Sequence, residues 1–272
     1  MFITNDVSLL TFVPFTFVVL SRLGADVRRS LLVPVVCMQT IAANLGSMLT
    51  PIGNPQNLYL YGKSGMSIGG FVLLMLPYTL VSLLLLLAWA ALVCRKTSAD
   101  LSVDELVSSS ASQGDQKIIL LYLVLFAVCL LSVIRVLPYG IAFAAVVDYS
   151  LLLTFVAFFI FIGNLGRIPA FSGWLQEFLT GREVLVAVLA SQVTSNVPAA
   201  LLLSGFTAET QALIIGTNLG GLGTLIASMA SLISYRQIAR ELPQGKKQYF
   251  GLFTLSNLIF LAILLGVWYL LR

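Results

Sequence analysis

The sequence predicts an all-α polytopic membrane protein with inverted repeats, re-entrant hairpins and discontinuous transmembrane helices. Three observations carry that expectation. Apolar residues make up 59% of the 272-residue chain and charged residues 10%, with mean hydropathy +1.00; a soluble domain carries about 25% charged residues. The apolar positions form continuous blocks near the ~20 residues that cross hydrocarbon as a helix, without the period-2 alternation of a membrane barrel. Finally, several blocks are interrupted by Asn, Gly and Pro at matched places in the two halves.

Residues 7–20 form a first apolar helix, shorter than a full span. Residues 30–60 form a long apolar segment broken at Asn44-Leu45-Gly46-Ser47 and again at Pro51-Ile52-Gly53-Asn54-Pro55. Residues 69–93 form a leucine-rich span, and the polar, Ser-rich stretch 95–117 is a linker. Residues 118–136 and 149–165 are two further spans. Residues 166–181, with Arg167, Trp174, Glu177 and Arg182, suit the headgroup level. Residues 183–203 are interrupted at Thr194-Ser195-Asn196-Val197-Pro198, and residues 211–235 at Asn218-Leu219-Gly220-Gly221-Leu222-Gly223. A basic loop, 236–247, precedes a terminal span, 250–271. The division is thus 1–94 for the remainder of a first repeat, 95–117 for a cytoplasmic linker and 118–272 for a second repeat.

The order of punctuation repeats. A polar tripeptide containing Asn (Thr4-Asn5-Asp6; Ser195-Asn196-Val197) precedes an apolar stretch, and then a helix interrupted at Asn-Leu-Gly (Asn44-Leu45-Gly46; Asn218-Leu219-Gly220). Unwound backbone in a bilayer is tolerated only where protein or a watery cavity satisfies it. Half-helix N-termini then favour anions, and half-helix C-terminal carbonyls favour Na⁺. Ser195 and Asn196 are good N-caps, Pro198 suits a first helical turn, and Gly220, Gly221 and Gly223 let backbone approach a ligand. Asp6 is a carboxylate in an apolar run, which marks a cation or proton site.

The chain has no histidine, which excludes Ser–His nucleophiles and most zinc or haem chemistry. Asp6 and Asp148 lack the Gly-x-Gly-Asp setting of aspartyl intramembrane proteolysis. The chain is therefore not expected to be an enzyme or to hold a cofactor. Cys37, Cys94 and Cys129 have no metal or redox spacing and read as packed or lipid-facing. No cleavable leader is expected at Met1, and the net charge of +4 reflects loop cations rather than a nucleic-acid surface.

Those cations orient the helices. Arg22, Arg28 and Arg29, then Arg95, Lys96 and Lys117, then Arg236, Arg240, Lys246 and Lys247 lie inside, leaving Lys63 outside. The first tip then belongs to a hairpin opening inside and the second to one opening outside, which inverts the repeats. Between Arg135 and Tyr149 only residues 137–147 return the chain inside, about 16 Å as helix and half a bilayer.

Residues 44–57, Thr194-Ser195-Asn196-Val197-Pro198 and Gly220-Gly221-Leu222-Gly223-Thr224-Leu225-Ile226 resemble the ion transporter superfamily, in particular its citrate-transporter-like group of divalent-anion symporters, arsenite pumps and sodium/proton antiporters. The resemblance covers nearly the whole chain. It implies two hairpin tips and two unwound loops that hold sodium and touch the substrate. Ser195 and Asn196 match two of three positions of the second Ser-Asn-Thr tip, Val197 replaces its threonine, and Thr4-Asn5-Asp6 keeps the asparagine. Tip and break are separated by 39 residues in the first half and 22 in the second. Since the chain begins at the first tip, it is expected to be the C-terminal part of a longer transporter.

The expected function is secondary transport of a small carboxylate or inorganic oxyanion, coupled to Na⁺ or H⁺, in the inner membrane. Its site would comprise Thr4, Asn5, Asp6, Asn44, Thr50, Gly53, Asn54, Ser195, Asn196, Asn218, Gly220, Gly223 and Thr224, with Na⁺ at Asn5, Gly53, Asn196 and Gly223. Alternatives within the same fold are a sodium/proton antiporter, an arsenite-type efflux permease, or an inactive fragment. The expected partners are the anionic solute, the bilayer and a second copy in a homodimer; no nucleic acid is expected.

Overall fold

The computed structural model describes residues 4–21, 25–96 and 167–272, with scattered positions between 153 and 165. Met1–Ala99 and Ile162–Arg272 form one compact unit, and Asp100–Phe161 forms the other. The expected span at 118–136, the short return at 137–147, nearly all of the span at 149–165 and the linker beyond Lys96 lie outside the described residues, as does Arg22.

Regular structure among the described residues is helical. Helix α1 (Asn5–Leu20) starts at its polar tip, with Thr4 in extended backbone as N-cap. Helix α2 (Ala25–Ser47) runs through Asn44-Leu45-Gly46 and unwinds only after Ser47. The first break is therefore later than the Asn-Leu-Gly signal suggests, because an asparagine in a last turn still donates its backbone N–H to the helix ladder. A 3₁₀ turn (Pro51–Gly53) follows, then α3 (Pro55–Ser64) and α4 (Ile68–Lys96). The headgroup-level stretch contains α5 (Pro169–Leu179), where exposed Trp174 stacks on Phe178 at 5.6 Å.

Helices α6 (Glu183–Thr194) and α7 (Asn196–Leu203) are separated by Ser195 alone and pack on each other as a hairpin. At 12 and 8 residues they extend about 18 and 12 Å, so neither crosses the ~30 Å of hydrocarbon. Helix α8 (Thr210–Leu219) ends where predicted, but the second break extends to Ser228, beyond Gly223, before α9 (Met229–Glu241) begins. The basic stretch 236–247 is not a loop: α9 continues to Glu241, and a 3₁₀ turn (Pro243–Gly245) leads directly into α10 (Lys246–Leu271). Lys and Arg are good helix formers, and Pro243 is what stops α9.

Among the described residues, three helical segments are long and apolar enough to cross a membrane: Val27–Ser47, Ile68–Arg95 and Pro243–Leu271. With its broken helices, this unit is that of a polytopic all-α membrane protein. Two buried cores hold it together. One joins α1, α2, α9 and the start of α10 through residues such as Leu9, Val36, Ile238 and Tyr249. The other joins α3, α4 and α6–α8 with the middle of α10, through Leu60, Phe71, Ala187, Leu203, Leu219 and Leu264.

The packing partners cross between repeats. Tip helix α1 of the first half packs on α9, the distal half-helix of the second. Tip helix α7 of the second half packs on α3, the distal half-helix of the first. Arg28 Nη2 lies 3.9 Å from Glu241 Oε2, which puts the Arg28 turn and the basic end of α9 together. Lys63 donates to the Ser204 carbonyl, and the Tyr59 and Ser204 hydroxyls lie 3.0 Å apart, which puts the ends of α3 and α7 together.

Candidate substrate and ion site

The four half-helix ends at the two breaks expose backbone groups that a helix interior would satisfy. The buried amides of Asn44 and Asn218 organise them. Asn44 is in the last turn of α2. Its Oδ1 accepts from Asn5 Nδ2 at 3.2 Å and from Ser228 Oγ at 3.0 Å, and its Nδ2 donates to Ser231 Oγ at 3.4 Å. Asn218 is in the last turn of α8. Its Nδ2 donates to Asn57 Oδ1 at 2.6 Å and to the Ile214 carbonyl at 2.7 Å, and its Oδ1 accepts from Asn54 Nδ2 at 3.5 Å.

These two nodes are the same device used twice. Asn54 is the N-cap of α3 and Asn57 its third residue; Ser228 is the N-cap of α9 and Ser231 its third residue. Each asparagine therefore binds the first turn of the distal half-helix of the opposite repeat. The spacing is identical: Asn54 and Ser228 each follow their own repeat's break asparagine by ten residues. Aligned on that register, Asn44-Leu45-Gly46, Thr50 and Ile52 coincide with Asn218-Leu219-Gly220, Thr224 and Ile226, and Gly53 coincides with Ala227.

The tips differ more. Asn5 and Asn196 are each the first residue of their helix. Asn5 reaches its own break through Asn44. Asn196 reaches its own break by backbone: its N–H donates to the Ala227 carbonyl at 2.9 Å, and the Ser195 hydroxyl lies 3.4 Å from the same oxygen. Ser195 has φ 75° and ψ 155°, a combination essentially confined to glycine. A Cβ on Gly221 would lie 3.1 Å from Asn196 Nδ2, so the bare backbone lets the tip amide rest on the break.

Gln192, which no sequence motif marks, organises the second break. Its Nε2 donates toward the carbonyls of Leu222 (2.8 Å), Gly220 (3.0 Å) and Val188 (3.2 Å). Its Oε1 accepts the Thr224 N–H at 2.9 Å. Gly223 has φ 109°, and a Cβ there would run into the Gln192 amide. The available signal was a lone amide three residues before Ser195 in an otherwise apolar arm. Ser228 and Ser231 also emerge only from the fold, since serines outside a motif look like ordinary helix polar residues; Asn57 lies inside the 44–57 motif, but its bond to Asn218 is visible only in the fold.

Of the expected site residues, Asn5 and Asn44 meet at one node, and Asn54 and Asn218 at the other. Ser195, Asn196, Gly220, Gly223 and Thr224 gather where the α6–α7 tip meets the second break. Gly53 is buried, with no room for a side chain beside the Ser47 carbonyl. Thr4 caps α1, and its carbonyl accepts the Ser8 hydroxyl at 3.0 Å. Three of the expected site residues carry a buried side-chain oxygen with no hydrogen-bond partner among the described residues: Asp6 Oδ1, Thr50 Oγ1 and Asn54 Oδ1.

A family profile described as "Citrate transporter" matches residues 1–212, more than three quarters of the chain. The chain belongs to the citrate transporter family. It is 33% identical over 255 residues to the inner membrane protein YbiR of Escherichia coli K12, covering 86% of this chain and 65% of that protein. It is 34% identical over 238 residues to an uncharacterized transporter, MJ0456, of Methanocaldococcus jannaschii, covering 86% of this chain and 66% of that protein. The chain thus spans just under two thirds of the length of each relative. The citrate transporter profile ends before Asn218, so the ten-residue register linking the two breaks is an observation independent of that match.

Proposed function

We propose that this protein is a secondary transporter of the inner membrane that moves a small carboxylate or inorganic oxyanion in exchange for the energy of a Na⁺ or H⁺ gradient. The observation that carries the reading is the pair of reciprocal asparagine nodes. They hold the open N-termini of α3 and α9 against the opposite repeat's break, and such N-termini favour negative charge. Family membership and the names of the relatives support a transporter. The cation is best accommodated in the first half, where Asp6, Thr50 and Asn54 present buried oxygens without partners; Na⁺ is held by such oxygen donors in broken-helix transporters.

The test is uptake of labelled citrate, succinate, sulfate or arsenite into proteoliposomes, with and without an imposed sodium or proton gradient. Gradient-driven uptake of one anion that Asp6→Asn makes gradient-independent supports the reading. Asp6 also favours a second reading, cation/proton exchange, because a fixed carboxylate at the tip repels an anion unless a cation intervenes. Sodium–proton exchange that needs no anion would establish that reading and overturn the first.

A further inference from the structure

We infer that the Gln192 side-chain amide acts as an internal surrogate for a cation at the second break, so that no coupling ion binds there. The inference rests on the transporter reading, but it is carried by geometry that does not require it. Two helix C-terminal ends converge here: α6, whose last turns contain Val188 and Gln192, and α8, which unwinds at Gly220. Helix C-termini carry partial negative charge, and unwound carbonyls beside such ends are where a monovalent cation is held.

In this protein Gln192 Nε2 occupies that point, with the carbonyl oxygens of Leu222, Gly220 and Val188 at 2.8, 3.0 and 3.2 Å. An amide –NH₂ has two hydrogens, which match the two carbonyls of the unwound segment, Gly220 and Leu222, while the Val188 carbonyl belongs to the same helix as Gln192. The amide is locked in place. Its oxygen is held by the Thr224 N–H at 2.9 Å, the Thr224 hydroxyl lies 3.3 Å from the Gln192 carbonyl, and Gly223 adopts positive φ directly against the side chain.

Carboxylate substitution reverses the electrostatics. In Gln192→Glu an oxygen replaces Nε2 beside three carbonyl oxygens, an arrangement that repels itself unless a cation sits among them. The experiment measures ²²Na⁺ bound per chain by the purified 272-residue protein in detergent at pH 8, with choline holding ionic strength constant, together with the melting temperature as a function of sodium. Gln192→Glu is expected to bind one more sodium than the wild type and to gain a sodium-dependent rise in melting temperature that the wild type lacks at this site. Gln192→Leu, and Gln192→Met as a closer match in shape, are expected to bind as many sodium ions as the wild type. Loss of a bound sodium in either apolar variant, or an unchanged count and an unchanged sodium slope in Gln192→Glu, would overturn the inference. Ion counting in detergent requires no transport, so a protein that moves no solute in proteoliposomes but gives the expected counts defeats the transporter reading and leaves this one intact.

Discussion

At the residue scale, the site depends on the amides of Asn44 and Asn218, whose hydrogen bonds go to buried partners. Asn44 serves Asn5, Ser228 and Ser231 at once. Asn44→Ala should cost about 1–3 kcal/mol for each buried group it strands, whereas Asn44→Asp, at a pH low enough to keep its carboxyl neutral, keeps both acceptor bonds and loses only the weak donor bond to Ser231. Melting of the purified variants should therefore rank wild type above Asn44→Asp above Asn44→Ala; equal melting of the two variants would show that the acceptor bonds contribute nothing. Ser195 poses the opposite case. Its backbone costs about 1–3 kcal/mol as a non-glycine residue, offset in part by the lower chain entropy that any side chain confers. Ser195→Gly should raise the melting temperature while lowering uptake through loss of the hydroxyl. A variant that is more stable and fully active would remove the serine from the site.

At the element scale, the α6–α7 hairpin is held against α8 by a seam of small residues. A Cβ on Gly216 would lie 2.7 Å from Ala187 Cβ and 2.8 Å from the Val184 carbonyl, and one on Gly220 would lie 2.6 Å from Ser191 Oγ. The two glycines are four residues apart, on one face of α8, so the helices approach along a stripe that no larger residue fits. Gly216→Val should cost about 1–3 kcal/mol by overpacking and should displace the hairpin from the second break. Reduced melting and reduced uptake would both register it. Gly251→Ala provides the control: space is open around Gly251 in α10, and the substitution should be neutral or gain up to about 1 kcal/mol from helix propensity. The shorter tip-to-break separation of the second half has a simple cause in these elements. Helix α1 has 16 residues and α2 has 23, against 8 in α7 and 10 in α8.

At the scale of the whole molecule, the crossed packing ties each tip helix to the far half-helix of the other repeat, so neither repeat is complete without its mate. The Arg28–Glu241 pair is half-exposed and of little worth as a stabiliser, yet it places two basic regions at one end, as expected when positive residues collect on the cytoplasmic side. The Lys63–Ser204 contact brings together the turns assigned to the outside. In a variant lacking Cys37, Cys94 and Cys129, a single cysteine at Gly65 should react with an impermeant maleimide added outside intact cells, and one at Gln244 only after permeabilisation. Labelling of both from the same side would contradict the inverted arrangement.

The sequence by itself determined the helical class, the membrane setting and the segments in which helices break, though not where the first break starts or the second ends. These follow from local facts: apolar block length, the restraint of Pro51, Pro55 and Pro198, and the cost of leaving polar groups in hydrocarbon. What only the tertiary structure decided is which groups satisfy the broken ends. Asn44 bonds to Ser228, 184 residues away, and Asn218 to Asn57, 161 residues away. Gln192 becomes recognisable as part of the site only when α8 unwinds beside it. A hydrogen bond needs its partner within about 3 Å, and across such separations that proximity is set by helix packing, which no local pattern of residues encodes.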